Sequence, residues 1–289
     1  IYARMNIWAL TDNRIGNSKQ TLALAYSLGE FIEKKVSFSK ISKLPNKLLG
    51  NSLLGAEIDL TGGRPDLIIS AGRKLARVAT KLKKQFSCKA IHIMNPGAAL
   101  IKKFDHVIIP NHDEVADSPN IIKITGSLCR NIKIAPVKHD GMPQVAVLNG
   151  NLTNNEAKKL VTSLNGNKAI YMVTTSRRTE PEAISVIEHE IRQPHQLYKY
   201  GSPSKNPYDA FLAGADIVIV TGDSVNMITE AAHTGKPIYI AEVETKEKFR
   251  KLWQELYDQK IARPLQNTLE SWEYKALDNI ASVKKQIKL

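Results

Sequence analysis

Apolar residues along this chain fall in short runs, and a polar loop bearing Gly, Asn, Asp or Ser closes most of them. The clearest example is Ile217–Ile240, IVIVTGDSVNMITEAAHTGKPIYI. Ile217 to Val220 is unbroken and β-branched, which suits a strand buried on both faces. Thr221-Gly222-Asp223-Ser224 interrupts it with a glycine and helix-capping residue types. Met227, Ile228, Ala231 and Ala232 then share one side of a predicted helix, and Gly235 stands where a terminating glycine belongs. Pro237 closes the unit and Ile238-Tyr239-Ile240 opens the next strand. A loop at the carboxyl end of a buried strand is where open α/β sheets bind ligands. The N–H groups of Ser224, Val225 and Asn226 are expected to face an anion, and Glu230, on the same helix, can accept from hydroxyls. A capped turn with no ligand fits the shape as well.

The same alternation runs through the whole chain. In the first half, strands are predicted at Met5–Leu10, Asp66–Ser70, Lys89–Met94, Val107–Ile109 and Ile121–Ile124, with helices at Ser18–Gly29 and from Arg73 to about Phe86. Phe38 to Leu60 lacks a clean period and reads as a loop-rich excursion with short helices. In the second half, strands are predicted at Val145–Leu148, Ala169–Val173 and Leu197–Tyr198. Helices are predicted at Asn154–Leu164, Pro181–Arg192 and Tyr208–Ala213, and a last one at Trp272–Ile287. Strands alternating with helices argue for parallel sheets covered on both faces. Ala135 to Pro143 is polar and carries two prolines and a glycine. It divides the chain into a first Rossmann-like domain, 1–137, and a second, 138–289, facing across a cleft, with about 270–289 packing back on the first.

Length and composition permit this, since 289 residues at 43% hydrophobic suffice for two cores. No apolar stretch approaches the roughly 20 residues of a membrane helix. The opening IYARMNIWAL runs into a strand, so no signal peptide is expected, and the residues before Met5 read as an upstream piece. Cys88 and Cys129 follow no metal or redox spacing and read as ordinary thiols of a reducing compartment.

Charge changes the picture more. A net +13 points to nucleic acid, an anionic membrane or phosphorylated small molecules. Aromatic content of 6% and the scatter of the basic residues make nucleic acid the least favoured. Leu44, Leu48, Leu49, Leu53 and Leu54 interleave with Lys40, Lys43 and Lys47, a pattern that could meet an anionic lipid surface or be buried under the first domain. There is no GxGxxG fingerprint and no P-loop. Arg177 and Arg178, in the loop Thr174–Thr179, suit phosphate because a guanidinium can pair two oxygens at once. A surface salt bridge is the plain alternative.

Read in order, several motifs resemble the mitochondrial fission "elongated mitochondria" (ELM) family. They are Trp8-Ala9-Leu10-Thr11-Asp12 with Gly16-Asn17 and Gln20, Pro65–Arg73, Phe104-Asp105, Pro110-Asn111-His112-Asp113, Thr174–Thr179 and Asn206-Pro207-Tyr208. Val220–Met227 with Glu230-Ala231 and Gly235-Lys236-Pro237 matches most clearly. The family is similar in layout to GT-B glycosyltransferases, with a nucleotide-sugar on the second domain and an acceptor near the first. The resemblance implies a diphosphate at Gly222, Asp223, Ser224, Val225 and Asn226, with Arg177 or Arg178 on the leaving group. It also implies a ribose at Glu230. The first loop, Asn149-Gly150-Asn151, departs from the usual double glycine, which restricts a phosphate's approach. The paired glutamates of retaining enzymes are not clear either, since Glu242 and Glu244 lie past the next strand.

Two readings follow. One is a metal-independent GT-B-type glycosyltransferase, because Asp-x-Asp is absent. Its general base would come from the first domain: His112 and Asp113, which read equally as a polar turn, or Asp12. The other is an adaptor that keeps the fold without turnover at an anionic lipid surface. Either way the partner is a nucleotide-sugar or nucleoside diphosphate, bound as substrate with no cofactor or metal expected. The location would be cytoplasmic, peripheral on the inner face of a membrane.

Overall fold

A computed structural model describes residues 5–39, 53–130 and 141–288. The chain divides into two compact units, Ile1–Arg130 with Asn279–Leu289 and Asn131–Asp278. The division expected at 137/138 falls in 131–140, outside the described residues, as does the Leu/Lys segment up to residue 52.

In unit 1, β1 (Ile7–Thr11), β2 (Phe31–Phe38), β3 (Ala56–Ile58), β4 (Leu67–Ala71), β5 (Lys89–Ile93), β6 (His106–Pro110) and β7 (Ile121–Ile124) form one sheet in the order β3-β2-β1-β4-β5-β6-β7. All neighbours are parallel except β2 and β3. The helices are α1 (Ile15–Leu28), α2 (Arg73–Phe86) and the short α3 (Ala98–Ile101). Successive strand residues feed opposite cores. Ile7 and Ala9 pack with Leu24, Ala25 and Leu28 of α1. Trp8 and Leu10 pack with Leu75, Val78 and Leu82 of α2. That double burial is why IWALT carries no polar alternation.

Unit 2 contains β8 (Gln144–Leu148), α4 (Asn154–Asn165), β9 (Ile170–Thr174), α5 (Pro181–Glu190) and β10 (His195–Tyr198). It continues with α6 (Tyr208–Gly214), β11 (Ile217–Thr221), α7 (Val225–Ala232), β12 (Ile238–Ala241), α8 (Glu247–Asp258) and β13 (Ala262–Pro264). Its sheet is parallel throughout, in the order β10-β9-β8-β11-β12-β13. The chain winds outwards one way from β8 to β10 and the other way from β11 to β13. The strand order reverses between β8 and β11, and a crevice at their carboxyl ends is where such sheets take ligands. In unit 1 the same reversal lies between β1 and β4.

Several expected elements are corrected. The stretch Phe31–Phe38 is a strand paired to β1, and Ala56–Ile58 pairs back on it, within what reads as a loop. Helix α1 starts at Ile15, so Gly16 and Asn17 lie in its first turn. The last helix, α9, covers only Asn279–Gln286. Residues 272–278 stay unwound because unit 2 holds them. The Trp272 ring meets Tyr239 edge-on at 5.2 Å, the Tyr274 hydroxyl donates to the Lys236 carbonyl at 2.9 Å, and the Leu277 N–H donates to Ala232. From Asn279 the chain belongs to unit 1. Its side-chain amide donates to the carbonyls of Thr125 and Ser127 at 2.8 and 2.9 Å, and Val283 and Ile287 enter the α1 core.

One buried base makes unit 1 sensitive to acid. His92, on β5, is fully buried; its Nδ1 lies 2.8 Å from the Ser70 hydroxyl and its ring stacks on Phe104. Burial pushes its pKa down to about 3, from an ordinary 6.5. Between those values the unfolded chain binds a proton that the folded chain refuses, so stability falls as pH drops through that window. From pH 7 to 4.5 this one group should remove about 2 kcal/mol. Urea unfolding should show that much less acid loss in His92→Phe than in wild type; equal losses would show that His92 is not the sensor.

Candidate functional site

The loops after β8, β9 and β11 of unit 2 meet around one carboxylate. Asp223 is buried. Its Oδ1 accepts from the Thr221 hydroxyl at 2.8 Å. Its Oδ2 accepts from the Asn151 N–H at 2.8 Å and lies 2.6 Å from the Arg178 guanidinium. The Thr221 hydroxyl in turn accepts from the Gly150 N–H at 2.7 Å. The Gly150 carbonyl accepts from the hydroxyls of Ser176 and Thr179 at 2.7 and 2.9 Å. Three loops from distant parts of the sequence are thereby locked at the switch point.

Glycine is required at two places in this lattice. A Cβ on Gly150 would lie 2.5 Å from Asp223 Oδ1, and one on Gly222 would lie 2.1 Å from the Trp253 ring. The single glycine of Asn149-Gly150-Asn151 is therefore filled from within, by Asp223. Trp253, from α8, also donates its indole N–H to the Gly222 carbonyl at 2.8 Å.

Helix α7 starts immediately after this lattice. Ser224 is its N-cap and its side chain caps nothing. The Ser224 N–H leans to the Thr221 carbonyl at 3.5 Å. The N–H groups of Val225, Asn226 and Met227 find no acceptor among the described residues. The free set is thus displaced by one residue from the expected Ser224–Asn226. Glu230, in the second turn, accepts from the Tyr208 hydroxyl at 2.5 Å.

The two arginines separate. Arg178 is held by Asp223, whereas Arg177 is exposed and in no ion pair among the described residues. One strand over, Thr221 being in register with Ala241, a hollow of about 470 Å³ opens beyond β12, walled by Glu242, Arg250, Trp253, Gln254 and Tyr257. Glu242 there accepts from the Tyr257 hydroxyl at 3.2 Å, and burial with this carboxylate pushes the phenol well above its ordinary range. The Glu244 side chain is exposed and its N–H donates to Glu156 at 2.7 Å.

In unit 1, Asp12 follows β1 at the switch point and is half-buried. Its Oδ1 accepts from the Arg14 N–H at 3.0 Å, and its backbone is bracketed by the Ser18 hydroxyl. His112 is buried and Asp113 half-buried, in the turn after β6, where the Asp113 N–H donates to Pro110 at 3.0 Å. Strands β4 and β5 separate β1 from β6, about 14 Å of sheet at the usual spacing. Asp12 and His112 therefore cannot act as one acid–base pair.

Sequence reasoning missed the supports. Tyr208 on Glu230 and Trp253 under Gly222 are long-range contacts. Lys236 is another: its ammonium caps the Leu212 carbonyl at 2.8 Å and the Ala213 carbonyl at 2.5 Å, at the end of α6. Burial pulls its pKa down to about 8 against the opposing charge of Asp216. The only sequence signal was that Asn206-Pro207-Tyr208 and Gly235-Lys236-Pro237 recur in the resemblance.

Residues 15–288 match the family described as Mitochondrial fission ELM1. The chain belongs to that family. An uncharacterized protein of Rickettsia prowazekii is similar to this ELM1-family chain at 30% identity, covering 98% of each. Among solved structures, MurG from Acinetobacter baumannii is similar with a TM-score of 0.57 at 12% identity, over 91% of this chain and 86% of its own. A UDP-GlcNAc 2-epimerase from Neisseria meningitidis, bound to UDP-GlcNAc, gives 0.57 at 13% identity, over 91% and 88%. At such identities the likeness is one of fold: two parallel-sheet α/β domains of the GT-B kind. Among the described residues of the ELM1-family chain, no helix is long and apolar enough to cross a membrane.

The lattice gives a direct stability test. Asp223→Ala leaves the Asn151 N–H and the Thr221 hydroxyl without their acceptor, and should cost about 2–4 kcal/mol in urea unfolding with no ligand present. Unchanged stability would mean that Asp223 does not hold the loops.

Proposed function

We propose that this ELM1-family protein binds a nucleoside diphosphate or nucleotide-sugar on unit 2 and is a metal-independent GT-B-type glycosyltransferase. The observation that carries the reading is the start of α7: three free N–H groups at the switch point, with a carboxylate one turn further along. A helix start supplies roughly half a positive charge along with its donors, which suits a diphosphate. A ribose diol offers two donors that one carboxylate, Glu230, can accept. Arg177 is the guanidinium left to meet the leaving phosphate. The hollow past β12 is where the group carried by the diphosphate would fall. The solved neighbour bound to UDP-GlcNAc supports the ligand class.

In the reaction, an acceptor oxygen attacks the sugar carbon and gives its proton to a general base. The nucleoside diphosphate departs with the bonding electrons, and its charge is taken up by the α7 N–H groups and Arg177. The candidate bases are those the sequence offers, His112 and Asp113 in the turn after β6, with Asp12 after β1 as runner-up.

A thermal-shift series against nucleoside diphosphates and nucleotide-sugars tests the binding. A ligand at a hundred times its Kd should stabilise the fold by about 2.7 kcal/mol. Glu230→Gln should weaken binding by about 1.5–3 kcal/mol, the worth of a hydrogen bond to a charged group; wild-type affinity in a folded variant would remove the ribose role. Sugar transfer, or slow hydrolysis of the donor, separates an enzyme from an adaptor that binds without turnover.

The net charge of +13 and the exposed Arg73, Lys84, Lys285 and Lys288 of unit 1 support peripheral attachment to anionic lipid. Not every lysine is available for it, since Lys83 pairs with Asp105 at 2.7 Å. Sedimentation with phosphatidylserine vesicles should show binding that falls as salt rises; equal binding to neutral vesicles would refute it.

A further inference from the structure

Helix α6 is fastened to the α7 region at both of its ends. At its start, Tyr208 donates its hydroxyl to Glu230 Oε2 at 2.5 Å, while its own N–H is held by the Asn206 side chain at 3.0 Å. At its end, the Leu212 and Ala213 carbonyls accept from Lys236, in the turn that follows α7. Between these ties, Phe211 and Leu212 share a buried core with Ile228, Ala231 and Ala232 of α7, and the Tyr208 ring packs against that core. Apart from its bond to Glu230, the phenol is thus held in place by the Lys236 clamp on its helix, the Asn206 cap and a packed face.

A glutamate on a helix has three side-chain torsions. Left alone, its carboxylate samples many positions, and ordering it on binding costs free energy. Tyr208 removes that freedom beforehand and occupies one acceptor direction of Oε2. Taking Glu230 to hold a ribose, as in the function proposed above, we propose that Tyr208 is the positioning residue that pre-sets this carboxylate for the ribose hydroxyls. It thereby makes unit 2 selective for ribonucleotides over nucleotides lacking the 2′ and 3′ hydroxyls. A site built to bond hydroxyls rejects the analogue without them, because its polar groups are then left unpaired.

The rival reading is a tie that only joins two helices. It would lower the affinity for every nucleotide alike. Calorimetry on wild type, Tyr208→Phe and Glu230→Gln separates the two. The probe is whichever of ADP, CDP, GDP and UDP gives the largest thermal shift, compared with its 2′,3′-dideoxy form. Tyr208→Phe keeps the packed ring. It should lose affinity for the ribonucleotide about tenfold, part of the worth of a hydrogen bond to a charged group, while its affinity for the dideoxy form stays at the wild-type value. Equal losses for both forms would overturn the positioning role. If Glu230→Gln abolished the ribose preference and Tyr208→Phe left it intact, the ribose role of Glu230 would stand and Tyr208 would fall alone. If wild type showed no ribose preference, or none of the four diphosphates bound, both would fall together.

Discussion

The burial of one carboxylate, Asp223, is the constraint on which the site of unit 2 depends. A charge removed from water must be met by donors, or it will not stay charged and buried. Asp223 is met by Thr221, Asn151 and Arg178, and these donors come from three different strand ends. Satisfying a single side chain thus fixes the relative heights of three loops. The helix that starts two residues later inherits that precision. Its free N–H groups lie at the switch point because the Thr221-Gly222-Asp223 turn, held by these bonds, delivers the chain there.

The same logic explains the second layer. Trp253 reaches across from α8 to the Gly222 carbonyl, and Lys236 reaches across to α6. Neither touches the helix start. Both secure the backbone that carries it. Among the described residues of unit 1 no comparable lattice surrounds Asp12, which is bracketed by Ser18 of α1 and by Arg14 of its own loop. The better-braced half is the one that carries the free helix start.

Much of this was legible in the sequence wherever an element obeys one period and has one neighbour. The strands of both units were readable from unbroken apolar runs, and the unit Ile217–Ile240 from a run, a capped start and a closing Gly-Lys-Pro. Failures occur where a polar side chain occupies an inward position. Strand β2 hid because Lys34 points inward: it is buried, its ammonium lies 4.6 Å from the Trp8 ring centroid, and it donates to the Thr61 carbonyl. The start of α1 was missed because Arg14 offers no capping side chain. The last helix is shorter than its apolar pattern suggests because the apolar residues from Trp272 to Ile287 serve three different cores, not one helix face. At the site, the residue types were readable, but the pairing of Arg178 with Asp223 and of Tyr208 with Glu230 joins positions that no local pattern connects.

The tight approach of Asp223 to Gly150 and of Trp253 to Gly222 has a consequence for how this sequence can drift. At either glycine the missing side chain is space already owned by a residue far along the chain. A methyl group at Gly150 is tolerable only in a lineage that has first given up the carboxylate at Asp223, and one at Gly222 only after the indole at Trp253 has gone. The two members of each pair can therefore be exchanged only in a fixed order, the large side chain before the glycine.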